Sequence, residues 1–158
     1  MKPKWCLIVD RREQIPWTFE SVTIGTGKSE KQLVLNQKPG TLQAGDYSIE
    51  GMEDRVAIER KSKEDLFGTL SRGRDRFIKE LSRMNEMEFA AVIVESDWLD
   101  CMLNPPERSK MAPVSVNGMH VAWMIRYPMV HWVWSPSRFV AMKMCYKILD
   151  RFYTENCE

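Results

Sequence analysis

Short apolar runs along the chain predict strands, and longer apolar stripes between them predict helices. The runs Trp5–Val9, Val56–Ile58, Ala90–Val94 and Val130–Trp134 are rich in β-branched and aromatic residues, and each is short enough to favour a strand over a helix. Because strands and helices alternate along the chain, the pattern indicates an α/β domain with a central sheet.

Two helices are predicted after the second of these runs. Ser62 can cap a helix that continues to about Ser71, and a second helix extends through Met87. The apolar residues that these helices bury are Leu66, Leu70, Phe77, Leu81 and Met84.

Two further helices flank the last strand. Ser115 opens one helix, which Pro128 stops, and Ser135 with Pro136 begins the final one. The final helix has a stripe that is predicted to lie in the core, formed by Phe139, Met142, Tyr146, Leu149 and Tyr153. Beside this stripe lie Met144, Ile148 and Phe152, which we expect to leave apolar surface for a partner subunit.

The segment from residue 17 to 43 is mixed in character. It contains a polar loop, Gly25–Glu30, and Gln32–Leu35 is predicted to be a short strand. The loop includes Gly-Lys-Ser but is not a phosphate-binding P-loop, since Val22 stands where that motif requires its first glycine. A segment ending in Pro39 also replaces the expected helix.

Length and composition indicate one globular domain. The chain has 158 residues, of which 44% are hydrophobic and 28% are charged, and its net charge is +1. No signal peptide and no membrane-spanning run is seen, so an intracellular protein is expected. The four cysteines show no paired or zinc-binding spacing and are predicted to be reduced thiols, with Cys6 buried in the first strand.

A hairpin is predicted to bring two carboxylates together. Gly51 and the three residues after it indicate a turn, which folds the strand 46–50 back on the strand 56–61. Asp46 and Glu59 would then lie close to each other. Their oxygen atoms suit a hard divalent cation such as Mg²⁺.

Lys61 adds a third group to this pair. Alternate side chains of a strand share a face, so Glu59 and Lys61 lie side by side while Arg60 points to the other face. A cation held by carboxylates and an adjacent ammonium are the groups that hydrolysis of a phosphodiester requires. This pattern by itself also fits the solvated edge of a hairpin, because the motif of an acidic residue, any residue and a lysine is short.

Further motifs in the same order resemble the nuclease domain of the XPF family of structure-specific DNA endonucleases. These motifs are Val9-Asp10-Arg11-Arg12-Glu13, Gly45-Asp46-Tyr47, Val56 to Ser62 followed by Asp65, Gly73-Arg74, and Val92-Ile93-Val94-Glu95. The specific match covers about residues 5–96, and the helix-strand-helix pattern of about 115–157 matches only in general form. The resemblance implies a single nuclease domain over 1–158, with a restriction-endonuclease-like α/β fold in which helices flank a central mixed β-sheet.

The resemblance also implies roles for individual residues. Asp10, Asp46 and Glu59 would form the acidic cluster around Mg²⁺ or Mn²⁺, with the backbone carbonyl of Arg60 as a further ligand, and Lys61 would be the catalytic lysine. Supporting or phosphate-holding positions would be Arg12, Glu13, Arg60, Asp65 and Arg74. Simpler readings stay open, since Asp10 could cap a strand end, Arg12 and Glu13 could form an exposed pair, and Asp65 could favour a helix dipole.

A basic cluster just beyond these motifs suggests DNA as the partner. Arg72, Arg74 and Arg76 lie together after the proposed metal site, where a phosphate backbone could bind. A solvated start of a helix would have the same composition. The tryptophans Trp98, Trp123, Trp132 and Trp134 could stack on unpaired bases but fall on predicted core elements.

The resemblance predicts a metal-dependent endonuclease acting on branched or flapped DNA, and a homodimer through the C-terminal helices. Many family members continue into a tandem helix-hairpin-helix domain, a pattern that residues 1–158 do not contain, so the preferred structure among such DNAs and the position of the cut stay open. Two alternatives stay open, a catalytically silent DNA-binding or scaffold subunit and an enzyme for another phosphate ester. The intact Gly-Asp and Glu-Arg-Lys motifs argue against the silent subunit.

Overall fold

A six-stranded mixed sheet forms the centre of the molecule, which we describe from a computed structural model over residues 3–19 and 22–157. The sheet order is β4-β1-β5-β6-β7-β8, and β2 and β3 form a separate two-stranded sheet. The strands are β1 Cys6–Asp10, β2 Thr23–Ile24, β3 Lys31–Gln32, β4 Asn36–Gly40, β5 Tyr47–Ile49, β6 Val56–Lys61, β7 Phe89–Val94 and β8 Val130–Trp134. The helices are α1 Lys63–Ser71, α2 Arg74–Met84, α3 Trp98–Leu103, α4 Pro113–Arg126 and α5 Arg138–Cys157.

Strand β5 alone runs against the other five strands of the large sheet. It is antiparallel to β1 and to β6, whereas β4 is parallel to β1, and β6, β7 and β8 are parallel to one another. The carboxyl ends of β1, β6 and β7 and the amino end of β5 therefore lie at the same edge of the sheet. This edge, which we call the carboxylate edge, brings Asp10, Asp46 and Glu59 together.

Helices cover both faces of the sheet. Val56 and Ile58 of β6 pack with α5 in one core cluster, while Ala57 packs with α1, α2 and α4 in the other. The alternation follows from the two-residue period of a strand. A three-layer α/β/α arrangement results, as the sequence predicts.

Most predicted elements are present, with differences at their ends. Ser62 caps α1, where its side chain accepts from the Asp65 N–H in a capping box. Helix α2 ends at Met84, not Met87, and α4 begins at Pro113, not Ser115. The cap of α5 is Ser137, not Ser135, since the Ser137 hydroxyl accepts from the backbone of Val140.

Three elements are absent from the sequence-based prediction. Strand β4 contains Pro39, and proline is tolerated because this strand lies at the edge of the sheet. Helix α3 has only six residues and β2 only two, too few for a periodic pattern. The predicted strand Gln32–Leu35 is wrong, because only Gln32 is in a strand.

The predicted burial of the final helix is partly wrong. Phe139 is exposed, while Met144, Ile148 and Phe152 pack against the core and do not form a free apolar surface. All four cysteines are free, and Cys6 at the start of β1 is half-buried, not buried as predicted. Among residues 3–19 and 22–157, no helix has both the length and the apolar character to cross a membrane.

Candidate functional site

A cavity of about 510 Å³ opens at the carboxylate edge of the sheet and is lined by most of the predicted site residues. Those on its wall are Asp10, Arg12, Glu13, Asp46, Glu59, Arg60, Lys61, Asp65 and Arg76. Arg72 and Arg74 are exposed at the turn between α1 and α2 and do not line the cavity. The resemblance singled out Arg74, yet Arg76 is the arginine of this cluster that borders the cavity.

The predicted hairpin places Asp46 beside Glu59. Tyr47 pairs with Ile58 in the antiparallel ladder, and the Asp46 N–H donates to the Ile58 carbonyl at 2.8 Å. The Asp46 carboxylate in turn accepts from the backbone N–H of Arg60 at 2.7 Å. The Asp46 carboxylate is thus fixed against β6, the strand that contains Glu59.

Lys61 lies next to Glu59 on the same face of β6, as the strand period predicts. Its Nζ is 3.0 Å from Glu59 Oε1 and 4.5 Å from the ring centroid of Phe77, which α2 presents to the cavity. Both side chains of the pair are largely buried. The ammonium is therefore held between an anion and an aromatic face.

Like charges in this buried site disfavour ionisation of both carboxyls. Burial raises the pKa of Asp46 above its ordinary range, and the neighbouring Glu59 charge raises it further. Burial likewise raises the pKa of Glu59, against the opposing effect of Lys61. A bound cation would relieve this repulsion.

Asp10 has a different environment, although it lines the same cavity. Its Oδ1 accepts from the backbone N–H and the Nε of Arg12, each at 2.8 Å, and its Oδ2 accepts from Arg12 Nη2 at 3.0 Å and from the Leu42 N–H at 2.7 Å. Burial acts to raise the pKa of Asp10, but these hydrogen bonds hold it below its usual range. Arg12 itself is 64% exposed at the cavity mouth.

The carboxylates do not form a ready-made metal cage. Within the part of the chain that the structure describes, no three histidine, cysteine, aspartate or glutamate side chains converge on one point. Asp10 is engaged by Arg12 and Leu42, which leaves Asp46 and Glu59 as the pair that faces the cavity together.

Arg60 points to the opposite face of β6, as predicted, where it pairs with Glu95. Its Nε and Nη2 bond the two Glu95 oxygens at 2.8 and 2.9 Å. Glu95 Oε1 also accepts from Trp17 Nε1 at 2.6 Å and from Arg138 Nη1 at 2.9 Å. This set, which we call the Glu95 hub, ties β6, β7, α5 and the loop after β1 together.

Glu13 joins the hub to the cavity. Its Oε1 is 3.5 Å from Arg60 Nη1 and accepts from the Ile15 N–H at 2.7 Å, while Arg138 donates to the Ile15 carbonyl at 2.8 Å. Glu13 is therefore held in a loop that the hub fixes, and it is not part of an exposed pair with Arg12.

Sequence reasoning missed two groups near the site. Glu80 of α2 lines the cavity, and Arg138 of α5 completes the Glu95 hub. The position of Glu80 one turn after Phe77, on the face of α2 that meets the sheet, is a signal that could have identified it. Arg138 begins a helix far along the chain, and no local pattern links it to Glu95.

The sequence pattern of the ERCC4 domain family matches residues 9–147. Two solved structures have a similar fold. XPF from Aeropyrum pernix in complex with DNA has a TM-score of 0.65 at 22% identity and covers 96% of this chain. The second structure, described as XPF from Aeropyrum pernix, has a TM-score of 0.64 at 22% identity and covers 94% of this chain.

The chain spans 66% and 61% of the length of these two structures. No curated relative matches it. The matched residues include the end of β1 and all of β4 to β8. The shared fold agrees with the predicted architecture, a central mixed sheet flanked by helices. The chain therefore belongs to the ERCC4 domain family, and its fold is similar to that of XPF from Aeropyrum pernix.

Proposed function

We propose that this chain hydrolyses phosphodiester bonds of DNA as a metal-dependent endonuclease. The observation that carries the proposal is the pair of the half-buried Asp46 and the buried Glu59, which share one open cavity with Lys61. Two neighbouring carboxylates that are largely removed from water are costly unless a cation balances them, so such a pair indicates a functional site.

The residues of the cavity fit Mg²⁺ or Mn²⁺, since hard divalent cations prefer carboxylate and carbonyl oxygens. Asp46 and Glu59 would hold the ion, and Asp10 and the Arg60 carbonyl would supply further ligands. When bound, such an ion supplies positive charge that screens the phosphate and lowers the pKa of water.

Lys61 is the proposed catalytic lysine. Its ammonium, held between Glu59 and the Phe77 ring, can orient the attacking water or balance charge that develops on the phosphate oxygens. Glu13, Asp65 and Arg60 support the cavity wall through the contacts that fix the β1 loop, the start of α1 and β6.

DNA is the proposed partner, and structures that are branched or have single-stranded parts are the proposed substrates. Arg72, Arg74 and Arg76 stand exposed beside the cavity, where they can bind backbone phosphates. Arg12 provides a further exposed guanidinium at the cavity mouth. The structure of XPF from Aeropyrum pernix in complex with DNA, which has a similar fold, supports DNA as the partner.

A homodimer through the C-terminal helices is also proposed, with α4 as its main contact. From Pro113 to Ile125 this helix has no Asp, Glu, Lys or Arg, and its exposed side chains include Val121, Met124 and Ile125, the last 77% exposed. Sedimentation of the wild type and of Ile125→Glu tests the contact. A wild-type monomer, or a dimer that Ile125→Glu leaves intact, would contradict it.

A catalytically silent DNA-binding subunit is the second candidate. The observation that favours it is the engagement of Asp10, whose oxygens accept four hydrogen bonds from Arg12 and Leu42. A silent domain would bind DNA yet leave every substrate uncut.

A cleavage assay decides between the two candidates. Flap, fork, junction and linear DNAs are incubated with the protein and Mg²⁺, Mn²⁺ or EDTA. Cleavage that requires the metal and is lost in Asp46→Ala supports the nuclease, whereas full activity in Asp46→Ala would remove the metal assignment. Binding without cleavage under all conditions would support the silent subunit.

A further inference from the structure

Helix α2 places a carboxylate against the turn that precedes Asp46. Glu80 Oε1 accepts from the backbone N–H of Gly45 at 2.6 Å, across 35 residues of chain. The other carboxylate oxygen pairs with Arg83, one turn further along α2. Because the buried Phe77 and Leu81 anchor α2 in the core, Glu80 is a fixed point for this turn.

The turn at Gly45 has no room to move towards β6. Gly45 has a φ of +75°, in the left-handed region, and a Cβ at this position would lie 3.0 Å from both the Ala57 Cβ and the Ile58 carbonyl oxygen. A side chain at residue 45 would push the turn and Asp46 away from the strand that contains Glu59. The backbone must therefore pass close to β6 here.

Both backbone polar groups of Asp46 are bonded to neighbouring strands. Its N–H donates to the Ile58 carbonyl at 2.8 Å, and its carbonyl accepts from the Asp10 N–H at 2.8 Å. The N–H of Gly45 points instead towards α2. Without the Glu80 carboxylate this part-buried N–H would lose its acceptor, which is costly for a backbone group that is partly removed from water.

We propose that Glu80 is a positioning residue that fixes the Gly45-Asp46 turn and thereby directs the Asp46 carboxylate into the cavity. A carboxylate that accepts from a backbone N–H makes a stronger bond than a neutral acceptor does. Glu80 itself need not contact the ion or the DNA. The effect of Glu80 on cleavage rests on the proposed function, whereas the contact between Glu80 and Gly45 does not.

Two substitutions separate positioning from direct ligation. Glu80→Gln keeps an oxygen that can accept from Gly45 but removes the negative charge, and Glu80→Ala removes both. Glu86→Ala, at an exposed glutamate beyond the end of α2, is the matched control. Circular dichroism verifies that each variant is folded.

The first measurement is the amide resonance of Gly45 in a ¹⁵N-labelled protein without metal or DNA. We expect a downfield, slowly exchanging amide in the wild type, in Glu80→Gln and in Glu86→Ala, and loss of both properties in Glu80→Ala. An unchanged Gly45 amide in Glu80→Ala would overturn the proposal.

The second measurement is the affinity for Mn²⁺, followed by electron paramagnetic resonance, together with the single-turnover cleavage rate. Glu80→Ala should weaken Mn²⁺ binding by about 10- to 100-fold, as loss of a group that orients a ligand does, and Glu80→Gln should restore most of it. Equal losses in both variants would identify Glu80 as a ligand or a charge and overturn the positioning role. A wild type that neither binds Mn²⁺ nor cleaves DNA would contradict the proposed function, while the Gly45 amide would still decide the role of Glu80.

Discussion

The ammonium of Lys61 lies 4.5 Å from the ring centroid of Phe77, on the side of the cavity formed by α2. This contact links Lys61 of β6 to helix α2. A cation over an aromatic face keeps its charge while losing water, which favours a fixed position for the ammonium.

Substitution of Lys61 is expected to remove catalysis while leaving the ion site nearly intact. Lys61→Ala should lower the single-turnover rate by about a hundredfold or more, the effect of losing one preorganised electrostatic group. Phe77→Leu should lower it less, because the cation–π contact contributes about 0.5–2 kcal/mol. Lys63→Ala is the control, since Lys63 pairs with Asp100 away from the cavity. A wild-type rate in Lys61→Ala would make Lys61 a structural partner of Glu59.

Neutralising the half-buried Asp46 is expected to stabilise the metal-free protein. Asp46→Asn keeps an acceptor for the Arg60 N–H but removes the repulsion with Glu59, so its melting temperature without metal should exceed that of the wild type. Added Mn²⁺ should stabilise the wild type, by about 2.7 kcal/mol at a hundred times the dissociation constant, but not the variant. Asp54→Asn, at an exposed site, should behave as the wild type does. A full Mn²⁺ response in Asp46→Asn would remove Asp46 from the ion site.

The basic cluster is expected to act on DNA binding more than on chemistry. Replacing Arg72, Arg74 and Arg76 by Ala should reduce the slope of log K against log salt by up to about three units, since each phosphate contact contributes about 0.9. Of the single variants, Arg76→Ala should lower the rate at saturating DNA most, because Arg76 lines the cavity. Binding isotherms at several salt concentrations test this, with Arg151→Ala on α5 as the control. An unchanged slope in the triple variant would place the DNA on another face.

Loss of the Glu95 hub is expected to destabilise the fold strongly. The Glu95 side chain is 8% exposed and bonds Trp17, Arg60 and Arg138, so Glu95→Ala leaves buried groups without a partner and should cost about 3–5 kcal/mol. Glu88→Ala breaks an exposed pair with Arg55 and should cost no more than about 1 kcal/mol. Urea unfolding measures both values. Equal losses in the two variants would show that the hub is no stronger than a surface pair.

Acidification is expected to destabilise the domain in part through His120, which packs against Trp98, Trp132 and Trp134. Burial lowers the pKa of His120 in the folded state, so the unfolded chain binds the proton more readily. The contribution of the neutral, buried His120 side chain to the free energy of unfolding is fully present above the unfolded pKa of about 6.5, and it is lost as the pH falls below that value. His120→Phe should flatten the pH dependence of urea unfolding, and His131→Gln, at an exposed site, should not. A steep dependence that persists in His120→Phe would assign it to other groups.

Local patterns predicted the elements that carry the site. The hairpin at Gly51, the cap at Ser62 and the two-residue period that separates Arg60 from Glu59 are set by neighbouring residues, and each is confirmed. The family motifs added Asp10, which no local pattern joins to Asp46. The structure brings the two together because β5 runs against its neighbours.

Contacts between distant segments were not predictable from the sequence. Glu80 meets Gly45 and Arg138 meets Glu95 only after α2 and α5 have packed on the sheet. Strand β4 was not predicted because it contains Pro39, which has no backbone N–H to donate. The loss is tolerated here because β4 lies at the edge of the sheet and not in its centre. Phe139 shares the helical phase of the buried Met142 and Tyr146 but is exposed in the first turn of α5, and a periodic pattern does not show where along a helix its contact with the sheet begins.

Helix α5 begins at the carboxylate edge and continues for 20 residues, which corresponds to a length of about 30 Å. Arg138 at its start is bonded to Glu95, whereas Cys157 at its other end is exposed. Cys101 and Cys145 are buried and Cys6 is half-buried, so a thiol-reactive fluorophore should label Cys157 first. A dye on Cys157 would lie about one helix length from the cavity. Energy transfer from this dye to an acceptor at a known position on the DNA would then measure which part of the DNA lies at the cavity.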